Sequence, residues 1–184
     1  MQDELTQALI EGFFEELAEV GYGKLSLEAV ARRAGAGKAA IYRRWSSKRE
    51  MTVALASQVA VSTIGAPDTG TLRGDLTAFL DEALSALRHP LAFRIIPDLL
   101  AEAARDEALA DALKTAVRAP RRENAARMLR RAVERGELPA DVDIELALDF
   151  LVAPLYWRLF VTQLPASADY LERLVTTLIH MLER

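Results

Sequence analysis

Apolar residues recur at intervals of three and four along nearly the whole chain, and no run alternates as a strand would, so the sequence predicts an all-α fold. Leu5, Leu9, Phe13, Leu17 and Val20 make one such stripe, which predicts a first helix over residues 3–20, stopped by Gly21-Tyr22-Gly23. A second helix is expected after Ser26, a good N-cap, through Val30 and Ala31 to Ala34, with Gly35 ending it. The third is the short segment "KAAIYRRW", residues 38–45, and Ser46 is expected to cap a fourth over 47–62. The segment "GAPDTGT", Gly65 to Thr71, is a clear break in composition and separates a small N-terminal module from the rest. Proline and glycine then divide the remainder into helices near 71–88, 90–104, 106–135, 143–163 and 168–183, about nine in all. Pro120 falls inside one of them and must kink or split it, because it lacks a backbone donor and crowds the preceding turn.

Composition narrows the classes. With 51% apolar and 27% charged residues the chain is globular, and 184 residues suffice to bury a core. It has no cysteine and two histidines, so no thiolate site, disulfide framework or metal centre is expected, and a cytoplasmic setting fits. No nucleophile–base motif or phosphate loop is legible, so neither an enzyme nor a cofactor is expected. The helix near 143–163 is apolar nearly all round, but Glu145, Asp149 and Arg158 make a membrane span costly, and no membrane partner is expected.

Charge changes the picture more than composition does. The net charge is −4, yet residues 1–23 hold six acids and no Lys or Arg, whereas residues 24–49 hold eight cations against Glu28 alone. The basic patch is local. At its centre two short helices joined by "GAG" have the length and punctuation of a helix-turn-helix, with Val30, Ala34, Ile41 and Trp45 as the apolar seam. Such a pair is ordinarily core packing, but Lys38 opens its helix, where a cation opposes the macrodipole at a cost of roughly 0.3–1 kcal/mol. That placement makes sense opposite a phosphate or a guanine edge, with the backbone at Gly37 facing the same anion and Ala39 and Ala40 small enough for close approach.

The stretch "EVGYGKLSLEAVARRAGAGKAAIYRRWSSKREM", with Tyr42, Trp45 and Lys48 at fixed spacing, resembles the TetR family of tetracycline-repressor-like transcriptional regulators over roughly residues 9–55. The resemblance implies a homodimer with a three-helix DNA-binding module, here 1–46, and a helical effector-binding and dimerisation domain, here 47–184. It implies a repressor released from a palindromic double-stranded operator by a small molecule. It places Lys38 and Ala39 at the groove-facing start of the recognition helix, Tyr42 and Arg43 at phosphate or base edges, and Ser26 and Lys48 on phosphates, with Arg44 beside Arg43 expected to compensate for phosphate contacts that hydroxyl residues make in other members. Many members put hydroxyl residues where Gly37 and Ala40 stand, and carry a basic arm that is not seen before the first helix here. A helical ligand-binding or scaffold dimer that no longer reads DNA is therefore the competing reading.

In the C-terminal part the resemblance assigns the last two helices to a four-helix dimer interface. Leu151 and Leu155 on the first, and Leu171, Leu174, Val175, Leu178, Ile179 and Leu182 on the second, are its expected residues. An effector pocket among the central helices would be walled by Phe79, Phe93, Met128, Tyr156, Trp157 and Phe160, with His89 or Arg158 as a polar contact.

Overall fold

A computed structural model describes residues 2–63 and 65–183, with side chains over 4–59 and 65–183; Asp3 of the acidic N-terminal run lies outside those side chains. Among the described residues the chain is helical throughout: α1 (Gln2–Lys24), α2 (Leu27–Arg33), α3 (Lys38–Tyr42), α4 (Lys48–Thr63), α5 (Leu72–Arg88), α6 (Pro90–Ala103), α7 (Glu107–Leu113), α8 (Ala119–Glu134), α9 (Ile144–Tyr156) and α10 (Ala168–Leu182). A π turn at Lys114–Arg118 joins α7 to α8 without a break, so the expected single helix is one run with a widened turn. Pro120 lies just beyond it, and local widening lets the chain remain helical where proline cannot donate. A second π turn, Trp157–Val161, follows Pro154 of α9. No described helix is long and apolar enough to cross a membrane.

The helices form two compact units, and their composition departs from the division at residue 46. One unit takes residues 1–59 together with 89–117; the other takes 60–88 with 118–184. The first therefore includes α6 and α7, which sequence order alone groups with the C-terminal part. Ile95, Ala103, Leu109 and Leu113 share its core with Leu9, Phe13, Leu17, Val30, Ile41 and Met51. One reason lies at the end of α1. Gly21 adopts φ 75°, which bends the helix, and a Cβ there would stand 2.8 Å from Oδ1 of Asp98. The other oxygen of Asp98, on α6, accepts from the Tyr22 backbone N–H at 2.7 Å.

In the second unit α5 packs against α8, α9 and α10. Leu76, Phe79 and Leu80 of α5, Met128 and Leu129 of α8, Leu151 and Leu155 of α9, and Val175 and Leu178 of α10 are all buried there. Asp75 is buried with them, accepting from the Thr69 N–H (2.6 Å), the Thr69 hydroxyl (2.8 Å) and Arg135 Nη2 (3.0 Å). Burial alone pushes this carboxyl up, but the Thr69 and Arg135 donors hold it below the ordinary carboxylate range. A depressed folded-state pKa stabilises the fold above the unfolded value of about 3.9, and that contribution is lost as pH falls through the folded value. Urea midpoints measured from pH 5 downward should fall, and Asp75→Asn should flatten the fall below pH ~4.

Candidate nucleic-acid interface

The turn between α2 and α3 is closed by backbone geometry. Gly35 takes φ 63°, its N–H donates to Arg32 O (3.2 Å), and the Ala36 N–H donates to Ala31 O (2.8 Å), the paired bonds of a Schellman C-cap. Ser26 caps α2 as expected, its Oγ accepting from the Ala29 N–H at 3.2 Å. The fourth helix is capped differently from the expectation: Ser47 Oγ accepts from the Glu50 N–H (3.2 Å), while the Ser46 N–H and hydroxyl both donate to the Glu50 carboxylate. Reciprocal bonding of this kind fixes the chain's entry into α4.

α3 is held from one side. Ile41 is wholly buried and Trp45 packs against the same core, so the inward roles read from the sequence hold. The opposite side carries Lys38, Ala39, Tyr42 and Arg43, all exposed. Gly37 precedes α3 without a side-chain cap, and a Cβ added to it would meet nothing within 4 Å. A hydroxyl residue is therefore sterically acceptable there, and packing gives no reason for the glycine.

The cations divide in a way the sequence does not reveal. Lys38 Nζ lies 2.9 Å from Glu28 Oε1, the same oxygen that accepts from the Tyr42 hydroxyl at 2.7 Å, and the ammonium stands 5.4 Å from the Tyr42 ring centroid. The hydrogen bonds from Lys38 and then Tyr42 lower the Glu28 pKa to about 2, so it is ionised at neutral pH. Lys48 donates to the carbonyls of Tyr22 (2.7 Å) and Gly23 (3.0 Å) and lies over the Tyr22 ring, fastening the start of α4 to the end of α1. Arg44 reaches Ala40 O and Thr6 Oγ1, and Arg33 pairs with Glu16 and Glu19. Arg33, Arg44 and Lys48 thus bond to other groups of the first unit, which spacing along the chain does not show.

Glu28 enters the sequence reading only as the lone acid among the cations of residues 24–49, although its place in the first turn of α2, ten residues before Lys38, is legible there. It occupies the two donors, Lys38 and Tyr42, that the resemblance assigns to DNA. Glu28→Gln should tighten DNA binding about threefold in a fluorescence titration, the scale of an exposed ion pair; weaker binding would show that Glu28 positions Lys38 and Tyr42 instead.

The residues expected at the dimer interface lie largely inside their own chain. Leu151, Leu155, Leu171, Leu174, Val175, Leu178 and Leu182 are buried against their own chain, and Ile179 is half-buried. A stripe that fills the core cannot also face a partner. The large apolar residues left exposed on α9 and beyond are Leu146, Phe150, Trp157 (63%), Val161 and Leu164, spaced by three to seven. The signal was present: a helix apolar all round has a second face to cover.

The expected effector wall is not brought together either. Phe79 and Met128 are core residues. His89 belongs to the other compact unit, where its Nδ1 accepts from the Leu91 N–H at 3.3 Å as a helix cap, and Phe93 on α6 is exposed. Tyr156 and Phe160 meet at a tilt of 54° with ring centroids 5.3 Å apart. Trp157 and Arg158 instead line an open hollow of about 410 Å³ with Phe150, Pro154, Leu164 and Tyr170, and Arg158 stacks on Tyr170 at 4.1 Å. Among the described residues no group of three or more His, Cys, Asp or Glu is placed to hold a metal.

Residues 9–55 match the family described as bacterial regulatory proteins, tetR family, and residues 66–178 match the tetracyclin repressor-like C-terminal domain. The chain is 35% identical over 178 residues to the DNA-binding transcriptional repressor TetR of Mycobacteroides abscessus, covering 96% of this chain and 93% of that protein. It is 29% identical over 169 residues, covering 92% and 85%, to YdeS of Bacillus subtilis, an HTH-type transcriptional regulator whose function is uncharacterized. The crystal structure of the TetR family transcription regulator SCO0332 superimposes with a TM-score of 0.75 at 32% identity, over 96% of this chain and 97% of that one. With α3 exposed beside its own turn and both family regions matched, the chain belongs to the TetR family of DNA-binding transcriptional regulators, which are not enzymes.

Proposed function

We propose that the protein is a repressor that grips a palindromic operator as a homodimer and releases it when a small molecule binds the C-terminal helical unit. The observation that carries the reading is α3 itself: Ile41 anchors the helix from within, while Lys38, Ala39 and Tyr42 stand exposed on its outer side. The M. abscessus relative is itself named a repressor.

Affinity for DNA then falls as far as the effector prefers the other conformation. The partner copy is expected on the exposed α9 face, where Phe150, Trp157 and Val161 would supply the buried aromatic and aliphatic anchors typical of interface centres. Trp157→Glu should weaken self-association by roughly tenfold or more in sedimentation velocity, with helical content retained, since Trp157 is 63% exposed within its own chain. Unchanged dimers would place the interface elsewhere.

A further inference from the structure

The buried face of α8 includes Ala125, Met128 and Ala132. Four residues before Ala125 the same face reaches position 121, where helical periodicity asks for an apolar side chain. The chain puts Arg121 there. Its Nε is sealed from solvent and meets no acceptor among the described residues, and burial lowers the basicity of the guanidinium.

Neighbouring arginines are provided for. Arg122 pairs with Glu145 (2.6 Å) and Asp149 (2.7 Å) of α9, and Arg130 with Glu123 (2.9 Å). Arg131 also has an unbonded Nε, but its Nη2 donates to the carbonyls of Ala66 and Pro67, and Asp68 lies 3.7 Å from that Nε. Arg135 has Asp75 and Glu137. Burial pushes the half-buried Tyr156 phenol up, and the positive charges of Arg121 first and Arg118 second act against that rise. Arg121 of α8 and Tyr156 of α9 thus lie within electrostatic reach of each other on two helices that pack together, with the Phe160 ring against Tyr156. Such a cation is costly alone and favourable once an oxyanion supplies the missing acceptor, because planar N–H forks match carboxylate and phosphate oxygens.

We propose that Arg121, with Tyr156 beside it, is an oxyanion-binding site, and that the effector carries a carboxylate or phosphate monoester on an apolar body. The site gives the ligand-responsive reading a chemical class and rests on that reading for its role in regulation.

The probes are octanoate, octyl phosphate and the neutral octanol, titrated calorimetrically and by thermal unfolding into the parent and into Arg121→Met, which keeps the side-chain length on an apolar face. At least one anion should bind the parent and raise its unfolding temperature beyond octanol, and the stronger of the two identifies the headgroup. Arg121→Met should lose roughly tenfold or more of that affinity, and without ligand should unfold at the parent's temperature or above it. The proposal is overturned if neither anion surpasses octanol, if Arg121→Met binds as the parent does, or if the ligand-free variant unfolds several degrees lower. Operator binding measured in the same mixtures separates the two readings: an anion bound through Arg121 that leaves DNA affinity unchanged supports the site and contradicts ligand-induced release.

Discussion

Leu174→Glu combined with Leu178→Glu should abolish folding of the C-terminal helical unit rather than yield folded monomers. Both side chains are buried in their own chain, at 9% and 3% exposure, on the face that α10 packs into the unit. Removing a buried leucine side chain costs about 2–5 kcal/mol, and each glutamate adds the burial of a carboxylate without a partner. The pair together reaches the whole stability of an ordinary domain, about 5–15 kcal/mol. Circular dichroism should show loss of helix and of a cooperative melt. A well-folded monomer would mean that these leucines face a partner after all.

The second large effect is on DNA. Lys38→Ala with Tyr42→Ala removes the two exposed side chains that meet at Glu28, while Ile41 and Trp45 keep α3 in place. Each good contact to a base edge contributes about 1–3 kcal/mol, and a dimer loses each contact twice. Operator affinity should fall at least about 100-fold, with the thermal midpoint nearly unchanged because both residues are exposed. Equal loss from Lys48→Ala would have a different origin. Lys48 holds the Tyr22 and Gly23 carbonyls, so its removal loosens α4 against α1 and should lower the melting temperature as well.

Local features were legible in the sequence, and features made by tertiary packing were not. The apolar periodicity, Ser26 and Gly35 place α2 and the turn to within a residue, because capping and left-handed backbone are properties of a few consecutive residues. The membership of α6 in the N-terminal unit draws on Asp98 meeting Tyr22 at the bend of α1, a pairing 76 residues apart that no spacing rule contains. The same holds for the cations. Lys38 and Lys48 look alike on paper, yet one lies exposed beside Glu28 and the other is bound to backbone carbonyls. The α10 stripe has a simpler explanation: an amphipathic helix has one apolar stripe, and in α10 its own core takes it. α9, apolar on more than one side, has residues left over, and Leu146 and Phe150, with Trp157 in the turn that follows, are among them.

The central claim, that α3 of two symmetry-related copies reads a palindrome, is tested most directly by selecting bound fragments from random duplex DNA and titrating the recovered site with salt. The account predicts an inverted repeat whose half-site centres lie about 34–36 Å apart or a multiple of that, with affinity falling steeply as salt rises. Recovery of a single unrepeated half-site, or of no enriched sequence at all, would contradict it.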